Sequence, residues 1–191
     1  SNTYFLYQKG WHGTLVDPNN YFNILIHELR PNDIIYNCAI DIEPGEKEFY
    51  MFGNMDSSNT LSSEFAERKR ISQKTDIGWT VRVPTKTIDE ILAIHLDYFQ
   101  RTPFFMNIDI EGKDFDVIKT YSHDVRIPFI MLEDDSGHIF NGSQIRQYME
   151  SKGYTPIATT FLTTLYLDKD SKYFQHIGKI GMFDQMEDRL G

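Results

Sequence analysis

Three short apolar runs in this sequence each end on an acidic residue: GTLVD at 13–17, FFMNID at 104–109 and IPFIMLE at 127–133. Between them lie segments whose apolar residues recur every three or four positions. Phe22, Leu25, Ile26 and Leu29 share one helical face, and so do Ile88, Ile91, Leu92 and Leu96. Runs too short for helices, alternating with helical segments, predict an α/β fold with a mostly parallel sheet. Near-continuous apolar strands fit burial on both faces. Open sheets of this kind bind ligands beyond the carboxyl ends of their strands. Asp17, Asp109 and Glu133 are therefore the first site candidates.

The remaining sequence supplies the punctuation. Residues 3–9 read as a helix stopped by Gly10, and the run from Ile34 through Ile40 reads as a second buried strand. Glu46 to Phe52 alternates charged and apolar residues, as an edge strand or hairpin arm does. Residues 53–76 are polar and rich in Ser and Asn, which predicts a mobile loop with one short helix, either a lid or a plain surface insertion. Residues 79–83 form another strand, and Thr87 or Thr85 caps the helix that follows. Residues 113–121 and 143–151 are helical, the latter stopped by Gly153. The close spacing of 154–160 and 162–167 predicts a final antiparallel hairpin.

Composition narrows the function. Leu, Ile, Val and Phe make up 52 of the 191 residues, enough for one buried core in a single domain. A net charge of −9 argues against nucleic acid and against an anionic membrane surface as partners. No apolar run approaches the roughly 20 residues of a membrane span. The opening SNTYFLYQKGW lacks the pattern of a secretory signal, so cytoplasm is the expected compartment. The single cysteine, Cys38, excludes an internal disulfide and a multi-cysteine zinc site, and is expected to be a small buried residue. Trp11, Trp79 and the tyrosines are expected to pack the core.

A carboxylate at a strand end can accept ribose hydroxyls, orient an amine or hold a metal, or it can simply cap the next helix. In nucleotide-binding α/β folds the ribose-binding acid lies about 20 residues beyond a glycine-rich turn. Only 16 residues precede Asp17 and none of them forms such a turn, so if Asp17 has that role the turn and its strand are expected upstream of Ser1. Asp109 and Glu111, with Glu133, could bind a divalent metal through hard oxygen ligands, or supply a general base. His138, in the loop after Glu133, is a second candidate base. The other histidines show no ligand spacing.

On these residues the chain resembles the FkbM-type methyltransferases, class I enzymes that use S-adenosylmethionine. The matching stretches are SNTYFLYQKGWHGTLVDPN at 1–19, RPNDIIYNCAID at 30–41, GEKEFYMF at 45–52, VPTKTIDEIL at 83–92 and FFMNIDIEGKDFDVIKTY at 104–121, together with IPFIMLE and a late GY at 153–154. The resemblance implies a Rossmann-like sheet, mostly parallel, with a reversed final hairpin strand. It implies that Asp17, with Pro18 beside it, meets the cofactor ribose and that Ala39 and Ile40 lie along the adenine. It places Asp109 near the methionine part and the transferred methyl, with Glu111 and Glu133 facing the acceptor. The family opens with a strand and a glycine-rich turn that are absent here, and Asp114 stands where the family usually has Glu.

The expected activity is methyl transfer from S-adenosylmethionine to a hydroxyl of a sugar, glycan or other small metabolite. Glu111 or Glu133, with His138 behind them, would remove the hydroxyl proton. Two rival readings stay open: a metal-dependent phosphoryl-transfer or hydrolytic enzyme using Asp109 and Glu111, and a non-catalytic α/β binding module.

Overall fold

The computed structural model describes residues 3–134, 143–160 and 162–177. The chain divides into two compact units, Ser1–Pro103 with Asn107–Val125, and Phe104–Met106 with Arg126–Gly191.

The first unit begins with α1 (Tyr4–Gln8), which ends where Gly10 takes a left-handed φ of 85°. β1 (Thr14–Val16), α2 (Asn20–Leu29) and β2 (Ile34–Tyr36) follow, with β1 and β2 parallel and Leu15 opposite Ile35. Asp33 ties the start of this unit together. Its carboxylate accepts the Arg30 Nε–H at 2.6 Å and the Gly13 backbone N–H at 2.8 Å, while Arg30 Nη1 donates to Thr3. The predicted face of α2 is only partly covered: Phe22 and Ile26 are half-buried, but Leu25 and Leu29 are exposed. Two three-residue strands are too narrow a platform for the whole stripe.

The run from Ile34 to Ile40 is not one strand. It breaks at Asn37 and Cys38, and β3 (Ala39–Ile40) joins a different sheet from β2. There β3 pairs in parallel with β5 (Trp79–Lys86), and β5 pairs antiparallel with β4 (Gly45–Met51), which forms the edge as its alternating sequence predicts. Ala39, Phe49, Met51 and Val83 form a buried cluster, with Leu61 and Val81 against it. Cys38 is buried as expected. Trp11 and Trp79 are not core residues; both are about two-fifths exposed, at a loop and a strand start.

Residues 53–76 are more ordered than a loop. Thr60 bridges to Tyr50 on β4, and Ser62 caps α3 (Ser63–Gln73) by accepting the Phe65 N–H. Thr87, not Thr85, starts α4 (Ile88–Phe99) with a full capping box closed by Glu90. β6 (Phe105–Ile108) and α5 (Asp114–Thr120) complete the elements that reach into this unit.

In the second unit the sheet order is β6, β7 (Phe129–Glu133), β9 (Thr163–Asp168), β8 (Tyr154–Thr159), with α6 (Gln144–Ser151) and α7 (Phe174–Ile177) alongside in sequence. β8 and β9 pair antiparallel, and β9 also pairs antiparallel with β7. The fold is thus mixed α/β. Its described strands form three sheets in which parallel and antiparallel pairings both occur, rather than one mostly parallel sheet. Among the described residues no helix is long and apolar enough to cross a membrane.

Arg126 secures the hairpin. It makes a two-pronged bond to Asp168, which is 3 % exposed, donates to the Lys152 carbonyl at 2.9 Å, and lies over the Tyr154 ring. Removing it strands a buried carboxylate. Arg126→Ala is expected to lower unfolding stability by about 2 kcal/mol, and Arg126→Lys to recover only part of the loss because the fork is gone. Urea unfolding of the three proteins checks this.

Candidate functional site

A pocket in the first unit gathers the ends of three strands. Val16, Asp17, Pro18 and Asn19 come from the end of β1; Ala39 and Ile40 from β3, with Cys38 just before it; Asp109, Ile110, Glu111 and Lys113 from the turn after β6. Phe22 and Phe49 add apolar walls, and the segment between β4 and α3 contributes Asp56, Ser57, Asn59 and Leu61. Four lining residues are acidic and one, Lys113, is basic. Carboxylates concentrated in a concave, part-apolar wall favour a ligand that carries positive charge or many hydroxyl donors.

Asp17 does two things at once. One carboxylate oxygen accepts the Asn19 backbone N–H at 2.7 Å, which shapes the turn into α2. Asn19 then caps that helix by accepting from Tyr21, and Asn23 donates to the Asp17 carbonyl at 2.8 Å. The other carboxylate oxygen has no hydrogen bond among the described residues. Burial pushes the Asp17 carboxyl above its ordinary range, against the Asn19 N–H, which pulls the other way. A hydroxyl donor at that oxygen would stabilise the ionised form.

The turn after β6 is the most constrained part of the pocket. Glu111 and Gly112 both have positive φ, 57° and 95°. At Gly112 a β-carbon would fall 3.1 Å from the Phe65 side chain, so any other residue would have to push Phe65 back and hold a strained positive φ. Asp114, buried at the start of α5, accepts the Ile110 N–H at 3.3 Å. Its pKa is raised to about 7, first by burial and then by the charges of Asp109 and Glu111.

Lys113 is held from behind by Asp41, which is fully buried. Lys113 Nζ lies 3.2 Å from one oxygen, Lys47 Nζ 3.5 Å from the other, and the Ile42 N–H donates at 2.8 Å. Burial alone would raise the Asp41 carboxyl, but the Ile42 N–H and the two ammonium groups outweigh it and hold the pKa below its usual range. Asp41 carries the same signature as Asp17, an acid closing an apolar run, and that signal could have found it. Lys113 and Asp56 had no comparable signal.

Of the candidates read from the sequence, Asp17, Pro18, Ala39, Ile40, Asp109 and Glu111 line this one pocket. Glu133 is the last residue of β7 in the second unit, half-buried and paired with Thr163. His138 lies outside the described residues. A family model described as "Methyltransferase FkbM domain" matches residues 1–156, more than half of the chain. Comparisons with curated proteins and with solved structures returned no match.

The state of Asp114 gives a pH test. Its ordinary pKa of 3.8 applies in the unfolded chain and about 7 in the folded one. Between those values the folded state holds the extra proton, so stability falls as pH rises through the window and is level above it. Asp114→Asn keeps an acceptor for Ile110 and carries no charge. Urea unfolding from pH 4 to 8 should show the variant gaining on the wild type as pH rises, reaching a few kcal/mol (order of magnitude) at pH 8.

Proposed function

The chain belongs to the FkbM methyltransferase family, and from that premise we propose that it is an S-adenosylmethionine-dependent methyltransferase acting on a hydroxyl oxygen of a sugar or other small metabolite. One observation carries the reading. A single pocket combines a strand-end acid at Asp17, an apolar strip at Ala39 and Ile40, and the acids Asp109 and Glu111. That donor set fits an adenosine with a cationic side arm: acceptors for hydroxyls and an amine, an apolar rest for a purine, and excess negative charge for a sulfonium.

S-adenosylmethionine, when bound, supplies an electrophilic methyl group on positively charged sulfur. In this reading Asp17 accepts hydrogen bonds from the ribose hydroxyls, and Pro18 closes the same corner. Ala39 and Ile40 exclude water from the purine face. Asp109 takes the cationic side arm through its charge. Glu111 accepts the proton of the acceptor hydroxyl as that oxygen becomes the nucleophile. Methyl transfer is an in-line displacement, so much of the rate must come from holding two groups in line. A constrained turn carrying both Asp109 and Glu111 suits that demand.

Calorimetry of the full-length natural protein with S-adenosylhomocysteine tests the proposal. One-to-one binding is expected. Asp17→Asn, which keeps an oxygen for the Asn19 N–H but loses the charge, should weaken it about 10- to 100-fold. Absence of binding of both S-adenosylhomocysteine and S-adenosylmethionine by the folded protein would overturn the reading.

A further inference from the structure

Glu111 holds a backbone conformation that L-residues adopt at a cost of about 1 kcal/mol or more. Something must keep it there. Its carbonyl accepts a hydrogen bond of 2.7 Å from the Thr60 hydroxyl, across 51 positions of sequence. Thr60 is 1 % exposed and is itself fully tied down. It exchanges both backbone hydrogen bonds with Tyr50 on β4, at 2.8 and 3.1 Å, and its hydroxyl oxygen accepts the Ser62 N–H at 2.9 Å. The hydroxyl proton is therefore committed to Glu111.

The neighbouring contacts repeat the pattern. Phe65, in the first turn of α3, covers Gly112. Lys69 is buried on α3, pairs with Asp56 at 2.9 Å and lies 4.3 Å from the centre of the Phe52 ring. Asp56 also accepts the Ser58 N–H. The segment is thus fastened through Thr60 both to β4 and to the turn after β6, while it offers Asp56 and Ser57 to the pocket. These contacts hold the segment against the pocket.

We propose that Thr60 is a positioning residue for Glu111, and that it latches the segment 53–62 into the pocket as a fixed wall. The inference rests on the methyltransferase reading for the role of Glu111, but the latch itself does not.

The test compares the wild type, Thr60→Val, which keeps the shape and loses the hydroxyl, and Thr60→Ser, which keeps the hydroxyl. Amide hydrogen exchange over residues 109–113 should rise about tenfold in Thr60→Val and stay near wild type in Thr60→Ser. Exchange in β7 and β9 should be unchanged. S-adenosylhomocysteine affinity should drop about five- to tenfold in the Val variant and recover in the Ser variant. Unchanged exchange at 109–113 in folded Thr60→Val, or a folded Thr60→Ser that loses protection there, would overturn the latch. If Thr60→Val does not fold, the Ser variant decides alone. A wild type that binds no S-adenosylhomocysteine counts against the functional reading, while the exchange result still judges Thr60.

Discussion

The turn that follows β6 is the constraint on which the first unit is organised. Two consecutive residues with positive φ reverse the chain between a strand and the start of α5. Such a turn is not self-supporting, and three side chains from outside it hold it. Asp114 accepts the Ile110 N–H, the Thr60 hydroxyl donates to the Glu111 carbonyl, and Phe65 closes over the face of Gly112 where a β-carbon would sit. Strain kept in place by surrounding contacts is typical of sites that need fixed geometry. Here it fixes where Asp109, Glu111 and Lys113 enter the pocket.

Electrostatics follow from that geometry. Asp109, Glu111 and Asp114 share one short stretch, and burial first, then the charges of Asp109 and Glu111, keeps the proton on Asp114 well above the ordinary carboxyl range. Lys113 would partly neutralise the pocket, but Asp41 holds it from behind, with the Ile42 N–H and Lys47 sharing the same carboxylate. The lining therefore keeps a surplus of negative charge. A surplus of that sign disfavours anionic ligands and favours a cation, which is the electrostatic basis for reading the pocket as a sulfonium site.

Much of the local structure was legible in the residues. Gly10 and Gly153 stop their helices with positive φ, Thr87 with Glu90 starts α4, and the alternating 46–52 run became the edge strand β4. These are one-turn effects, settled by a few neighbouring side chains. Errors came where distant partners decide. The apolar run 34–40 looked continuous, but its two halves pair with different strands, which no local pattern encodes. Trp11 and Trp79 are apolar enough for a core, yet the core that formed did not include them. The polar 53–76 stretch looked loose because part of its order comes from Tyr50, Glu111 and Gly112, none of them in the segment.

The sequence by itself determined the alternation of strands and helices, the acids that close the apolar runs, and a family resemblance strong enough to suggest the chemistry. Those depend on residue type and short spacing. Only the tertiary structure decided that six of the candidates share one pocket, that Asp17 spends one oxygen on its own turn, that Asp41 lies behind Lys113, and that Thr60 reaches Glu111. The physical reason is the same in each case. A side chain's partner is chosen by which backbone is packed beside it, and strand pairing sets that over tens of residues.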